Sequence, residues 1–298
     1  MRAKQSRFVK CMIQIKFIGL FQFIFRFYFP FFIFHFNQGV QSARVPYGNK
    51  SKETIIKYSS EILGFLTDKG IKIAIVACNT SSSWALDYLR KISPVPVFGV
   101  IEPGAQKAVE VSLNISGRKI IAVIGTSATV KSGAYSKTIK EKAALLYGVK
   151  KSEKVNISNT DFNGFNENLE IIEKSCPLFV PLVEEGFLNE EITKNVIKYY
   201  LASVIKEKPA CLVLGCTHYP ILKDFIEKEI GDDTEIIDSG VETARSVKNY
   251  LEEFGMLKSG TESGNEIFFV SDDSERFKEL GGKFLGRPID NVYVVNFS

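Results

Sequence analysis

The chain has 298 residues, 45% of them hydrophobic and 24% charged, which suits two domains of ordinary size with real cores. Its formal charge is +4, and Arg2, Lys4, Arg7, Lys10, Lys16 and Arg26 all lie near the start. The remainder is close to balance, so nucleic-acid binding has no electrostatic footing. Cys11, Cys78, Cys176, Cys211 and Cys216 are odd in number and include no C-x-x-C; they argue against a disulfide framework and for reduced thiols in the cytoplasm.

From Phe17 to Phe36 the sequence holds ten phenylalanines. A basic start before an apolar stretch resembles a signal or anchor. However, Arg26 and Pro30 interrupt the run, and no small-x-small cleavage site follows. Phenylalanine at every second position from Phe21 to Phe31 is not helical spacing. Residues 1–43 are therefore expected to form an aberrant, poorly ordered arm, with no membrane partner.

From Arg44 onward the pattern is regular α/β. Apolar residues Ile55, Ile56, Ile62, Leu63, Phe65 and Leu66 recur at helical spacing before Gly70. KIAIVA (72–77) reads as a strand, SSWALDYLRKI (82–92) as a helix and PVFGVI (96–101) as a strand, with Pro103 opening a helix. KIIAVIG (119–125) is a strand, followed by a helix over 135–146. Helical stretches are expected near 166–174 and 189–207 beyond a 150–165 loop. ACLVLG (210–215) and EIID (235–238) read as strands, separated by the helix YPILKDFIEKEI. The helix VETARSVKNYLEEFG, the strand EIFFVS (266–271) and the helix SERFKELGGKFL complete the chain. This alternation predicts mostly parallel sheets covered on both faces.

Two segments share one plan. IAIVACNTSSSWALDYLRKI and CLVLGCTHYPILKDFIEKEI each run from an apolar strand through a small residue to Cys, a Thr-containing turn and a helix. Similar βα units are common, but here the cysteine occupies the same place in both. Ligands bind beyond the carboxyl ends of strands in open α/β sheets, where Cys78 and Cys216 are expected. A helix N-terminus offers partial positive charge and free N–H groups, which favour thiolate. Matched thiols suit racemisation: one removes the α-proton from one face and the other delivers a proton to the opposite face. Asn79, Thr80 and Thr217 could hold substrate carboxylates, though each also reads as a helix cap. His218 could exchange a proton with Cys216 or stabilise its thiolate. Glu184 and Glu185 follow the apolar run CPLFVPLV and could orient a base or begin a helix.

Other chemistries have less support. Zinc held by Cys78, Cys216 and His218 would lack a further ligand and the usual spacing. No P-loop and no G-x-G-x-x-G after a strand occurs, and no lysine is marked for pyridoxal phosphate. A Cys–His hydrolase would leave one cysteine unexplained.

ARVPYGNKS (43–51), VACNTSS (76–82), VFGVIEPGA (97–105), AVIGTSATVKSGAY (122–135), CPLFVPLVEEG (176–186) and LGCTHYPIL (214–222) resemble the glutamate racemases, within the aspartate/glutamate racemase family. The resemblance covers about residues 43–298. It implies an isomerase that works without a cofactor or metal and supplies D-glutamate for peptidoglycan, hence for cell-wall biogenesis and cell shape. It implies two similar α/β domains related by pseudo-twofold symmetry, with the active site in the cleft between them. The first would be 44–100 plus 238–298, and the second 101–237. Cys78 and Cys216 match the catalytic acid/bases, assisted by Glu184 and His218 on the Cys216 side. Tyr47, Gly48, Asn79, Thr80, Thr217 and His218 match substrate contacts. Glutamate is the implied substrate, and a homodimer is an inherited expectation. Aspartate racemisation and a catalytically inactive remnant or binding protein are the competing functions.

The N-terminal segment departs from this pattern. The family has a first strand ending in Asp-Ser-Gly, whose Asp assists the first cysteine, and a second strand ending in a Gly-Asp-Thr-like motif. Here Met12–Phe21 could be the first strand, but Gln22 follows it, and Val40-Gln41-Ser42 precedes ARVPYG. Residues 22–42 read as a shifted frame or scramble, with Met12 as the original start; resequencing the DNA tests this. The expected consequence is weak or absent activity. Asp238-Ser239-Gly240 looks like the missing motif, but its position matches a different, mostly structural segment.

Overall fold

The computed structural model describes residues 33–34, 47, 50–115, 119–146, 169–188, 190–257 and 266–296. The expected Met12–Phe21 strand, the 150–165 loop, Cys11, Gly48 and nearly all of residues 1–43 lie outside these. The described chain divides into two compact units, one drawn from Met1–Gly99 with Ala244–Ser298 and the other Val100–Thr243.

The first unit contains a short strand from the phenylalanine-rich segment, β1 (Ile33–Phe34). It pairs in parallel with β2 (Ala74–Val76), Ile33 opposite Ala74. Helix α1 (Lys52–Asp68) starts at Ser51, whose hydroxyl accepts from Thr54 N–H at 3.3 Å. It buries Ile55, Ile62, Leu63 and Leu66, and the chain leaves it at Gly70 with φ +72°, a conformation glycine adopts without steric cost.

The helix expected over 82–92 begins earlier and is broken. Helix α2 (Asn79–Trp84) ends at Ala85 (φ −111°), and α3 (Leu86–Ile92) starts from that same residue. The serine run explains the interruption: Ser82 Oγ donates to the Val76 carbonyl and Ser83 Oγ to that of Asn79. Such hydroxyl bonds compete with regular helix. Strand β3 (Val97–Gly99) then pairs with β2, giving the parallel order β1-β2-β3.

In the second unit, α4 (Ile101–Leu113) leads to β4 (Lys119–Gly125), then α5 (Ser127–Ser132) and α6 (Ala134–Leu146). The next element is a correction: residues 169–175 form strand β5 (Leu169–Ser175), where a helix was expected near 166–174. Leu, Glu and Lys favour helix locally. Here β5 instead pairs residue for residue with β4, from Leu169 opposite Lys119 to Ser175 opposite Gly125. Tertiary pairing overrides propensity at such an edge.

Helix α7 (Phe179–Glu184) ends at Glu184 rather than beginning there, and α8 (Glu191–Lys206) follows. Strand β6 (Cys211–Gly215) is buried throughout. The helix expected over 219–230 opens as a 3₁₀ turn (Tyr219–Leu222) before α9 (Lys223–Ile230), as Pro220 removes a backbone donor. Strand β7 (Glu235–Asp238) completes the parallel order β5-β4-β6-β7. The core of this unit includes Ile121, Val123, Tyr135, Ile139 and Val213.

Helix α10 (Ser239–Glu253) carries the chain back to the first unit. There β8 (Phe268–Val270) pairs in parallel with β9 (Val292–Val294), a strand the sequence reading missed, across α11 (Ser274–Leu285). Among the described residues, no helix is long and apolar enough to cross a membrane.

Gly215 closes β6 where no side chain fits. A Cβ there would lie 2.7 Å from the Ile124 carbonyl oxygen and 3.1 Å from Tyr135 Cε2. Gly215→Ala is expected to destabilise the protein by about 1–3 kcal/mol, as overpacked cores do. Urea unfolding checks this: the midpoint should fall at constant slope, and an unchanged midpoint contradicts the reading.

Candidate active site

The second unit brings Cys216, His218 and Glu184 together from three segments. Strand β6 delivers buried Cys216 at its carboxyl end, one residue past Gly215. The turn that follows places His218 Nδ1 3.7 Å from Cys216 Sγ. Helix α7 supplies Glu184, whose Oε1 lies 3.1 Å from His218 Nε2. His218 is buried, while the Glu184 side chain keeps 30% of its surface exposed. A carboxylate only accepts hydrogen bonds, so on a neutral imidazole it selects the tautomer with hydrogen on Nε2. Nδ1 then presents a lone pair to the thiol. The chain Cys216–His218–Glu184 can take the thiol proton and stabilise the imidazolium that results.

Packing fixes this turn. Tyr219 N–H donates to the Cys216 carbonyl at 3.2 Å, and Tyr219 Oη donates to the Cys176 carbonyl at 2.9 Å. The Tyr219 ring stands edge-on to Phe179 of α7 with centroids 5.0 Å apart. The helix that delivers Glu184 is thereby tied to the turn that delivers His218. Thr217 lies between Cys216 and His218 and is only half-buried.

The first unit holds Cys78 in a similar strand–turn–helix setting. Strand β2 runs through Ala77 to Cys78, which precedes α2 and occupies its N-cap position. Its thiol makes no capping hydrogen bond, and the residue is partly exposed. Its carbonyl accepts from Ser82 N–H at 2.8 Å. Asn79 and Thr80 are buried in the first turn of α2. Tyr47 is also buried, its ring 6.3 Å from that of Tyr58; Gly48 lies outside the described residues. Cys78 therefore does precede an α-helix as expected, whereas Cys216 precedes a 3₁₀ turn.

Cys176 and Cys211 differ from this pair. Both are fully buried, Cys211 with its thiol 3.8 Å from the Ala108 carbonyl oxygen. Burial pushes each thiol pKa up to about 12, which keeps them protonated and inert as bases.

Residues 37–247 match the family model for Asp/Glu/hydantoin racemases. The chain belongs to this racemase family. Among curated relatives, the glutamate racemase of Geobacter metallireducens is 41% identical over 255 residues, covering 86% of this chain and 84% of that one. That of Aquifex pyrophilus is 45% identical over 246 residues, covering 83% and 82%. The crystal structure of glutamate racemase from Francisella tularensis, in complex with D-glutamate, superposes with a TM-score of 0.71 at 32% identity, covering 86% of this chain and 85% of that one.

Sequence reasoning did not select Tyr135 or Ser239 as site residues. Neither lies near a catalytic cysteine in sequence, yet the Tyr135 ring lies against Gly215 and Ser239 Oγ donates to the Leu214 carbonyl, the two residues before Cys216. Asp238 accepts from the N–H groups of Gly240 and Val241 at the start of α10, which gives its Asp-Ser-Gly motif a capping role.

Proposed function

We propose that this racemase interconverts L- and D-glutamate by a two-base mechanism, with Cys78 and Cys216 as the paired acid and base. The observation that carries the reading is the Cys216–His218–Glu184 chain, at 3.7 and 3.1 Å. The 41% and 45% identity to glutamate racemases supports glutamate over aspartate.

In the forward half-reaction, one thiolate takes the α-proton and becomes a thiol, and the α-carbon flattens to a carbanion. The other thiol gives its proton to the opposite face and becomes a thiolate. The reverse reaction exchanges these roles. His218 holds the Cys216 proton between turnovers, and Glu184 stabilises the charge this creates. Tyr47, Gly48, Asn79, Thr80 and Thr217 bind the substrate's polar groups. The need for reduced thiols supports a cytoplasmic enzyme that supplies D-glutamate for cell-wall synthesis.

No Asp or Glu precedes Glu53 in the chain. The aspartate expected beside Cys78 therefore has no substitute in the N-terminal segment, and the Cys78 half-reaction is the slower of the two. The test is incubation with L-glutamate in D₂O, followed by NMR and polarimetry. Loss of the α-proton signal together with loss of rotation is the expected result. Neither change over hours at micromolar enzyme would make the chain a non-catalytic family member, and activity on aspartate alone would reassign the substrate.

A further inference from the structure

The support beneath Cys216 extends beyond the residues assigned to proton transfer. Tyr135 is fully buried on α6, and its ring closes against Gly215, the residue before Cys216. Its hydroxyl bonds the Ser239 side chain at the start of α10. Ser239 Oγ in turn donates to the Leu214 carbonyl at 3.0 Å, in a buried bond spanning β6 and α10. The donor order is fixed: a carbonyl only accepts, so Ser239 spends its hydrogen there and accepts from Tyr135. Gly104 of α4 leaves the room for this arrangement, as a Cβ there would lie 3.1 Å from Ser239 Cβ and 3.6 Å from Tyr135 Oη. Four elements thus converge on the peptide that sets the position of Cys216.

We infer that Tyr135 and Ser239 are positioning residues for Cys216: their hydroxyl chain to the Leu214 carbonyl aims the thiol at the substrate α-carbon. The inference rests on Cys216 being one of the two bases. The brace runs through Tyr135, Ser239 and Leu214, all within the second unit. Burial pushes the Tyr135 pKa well above the usual phenol value, and the nearby Asp238 and Cys216 add to the effect. The phenol therefore stays neutral and acts as a hydrogen-bond donor at working pH. Misplacement of a reacting group by about 1 Å can cost on the order of 10²-fold in rate, and a lost brace within an otherwise packed site should cost less.

Tyr135→Phe and Ser239→Ala are the tests. Each is expected to fold and to lower kcat/KM about tenfold. The double variant should lose little more than either single one, because the hydroxyls act in series. The equilibrium constant of racemisation is unity, so kcat/KM must fall equally in both directions, and rates alone cannot reveal which half-reaction suffers. The α-deuterium isotope effect can. It should rise in the direction where Cys216 abstracts the proton and shrink in the other. Residual exchange by Cys216→Ser identifies that direction, because the enantiomer it still exchanges is the one served by Cys78.

A purely structural role would lower stability and leave both isotope effects unchanged, overturning the inference. Wild-type kcat/KM in both variants would also overturn it, as would failure of both to fold. If wild-type enzyme shows no α-exchange, or Cys216→Ser retains full racemisation, the underlying assignment of Cys216 fails instead.

Discussion

Cys78→Ser and Cys216→Ser are each expected to reduce racemisation by more than about 10³-fold while leaving a one-sided reaction in place. An alcohol is a far weaker acid than a thiol, so serine is rarely ionised to take the α-proton and is slow to return one. The surviving cysteine keeps its own face of the α-carbon. It can remove the proton of one enantiomer, exchange it with solvent and return a deuteron to the same face. Each variant should therefore exchange one enantiomer in D₂O without inverting it, and the two variants should choose opposite enantiomers. ¹H NMR of each enantiomer, followed by chiral chromatography, measures both quantities. Full two-way activity in either variant would sink the two-base mechanism. Exchange of the same enantiomer by both would show that the cysteines do not serve opposite faces.

Cys176→Ser and Cys211→Ser provide the contrast. Both thiols are buried, with pKa values pushed up to about 12. Their sulfurs lie 3.8 Å from the Lys174 and Ala108 carbonyl oxygens respectively, so activity should persist where the fold tolerates the change. A common cysteine chemistry is thus separated from two particular positions by local structure.

Much of this was legible in the sequence because the informative signals were local. The apolar runs before Cys78 and Cys216 specify strands β2 and β6, and the equivalent Cys–Thr turns mark their carboxyl ends. Residues 169–175 were misread because Leu169-Glu170-Ile171-Ile172-Glu173-Lys174 has ordinary helix composition. Only the ladder with β4, fifty residues earlier in sequence, makes it a strand. The break at Ala85 escaped notice for a related reason, since it depends on hydroxyl bonds within a serine run. Tyr135 and Ser239 were invisible as a pair: they are far apart in sequence, and their significance rests on a shared position under Leu214 and Gly215. By contrast, His218 follows Cys216 by two residues, so its possible role could be read directly. Its carboxylate partner on α7 became geometrically meaningful only through packing.

His218→Asn is expected to lower kcat/KM by about 10²–10⁴-fold, the usual contribution of a placed acid–base group. Asparagine can still make a hydrogen bond but cannot accept and return a proton near neutral pH. KM should change less than kcat if His218 works chiefly through Cys216, although loss of a substrate contact would raise KM as well. Glu184→Gln should produce a smaller loss, because imidazole remains while its tautomer and its positive form lose carboxylate support. Both variants should raise the α-deuterium isotope effect in the direction of Cys216 abstraction, as the Tyr135 and Ser239 variants do. They differ in what is removed: Glu184→Gln takes away the carboxylate that selects the His218 tautomer, whereas Tyr135→Phe leaves the His218–Glu184 contact in place. Near-wild-type rates for His218→Asn would remove His218 from the proton path and leave the 3.7 Å contact with Cys216 as a packing feature alone.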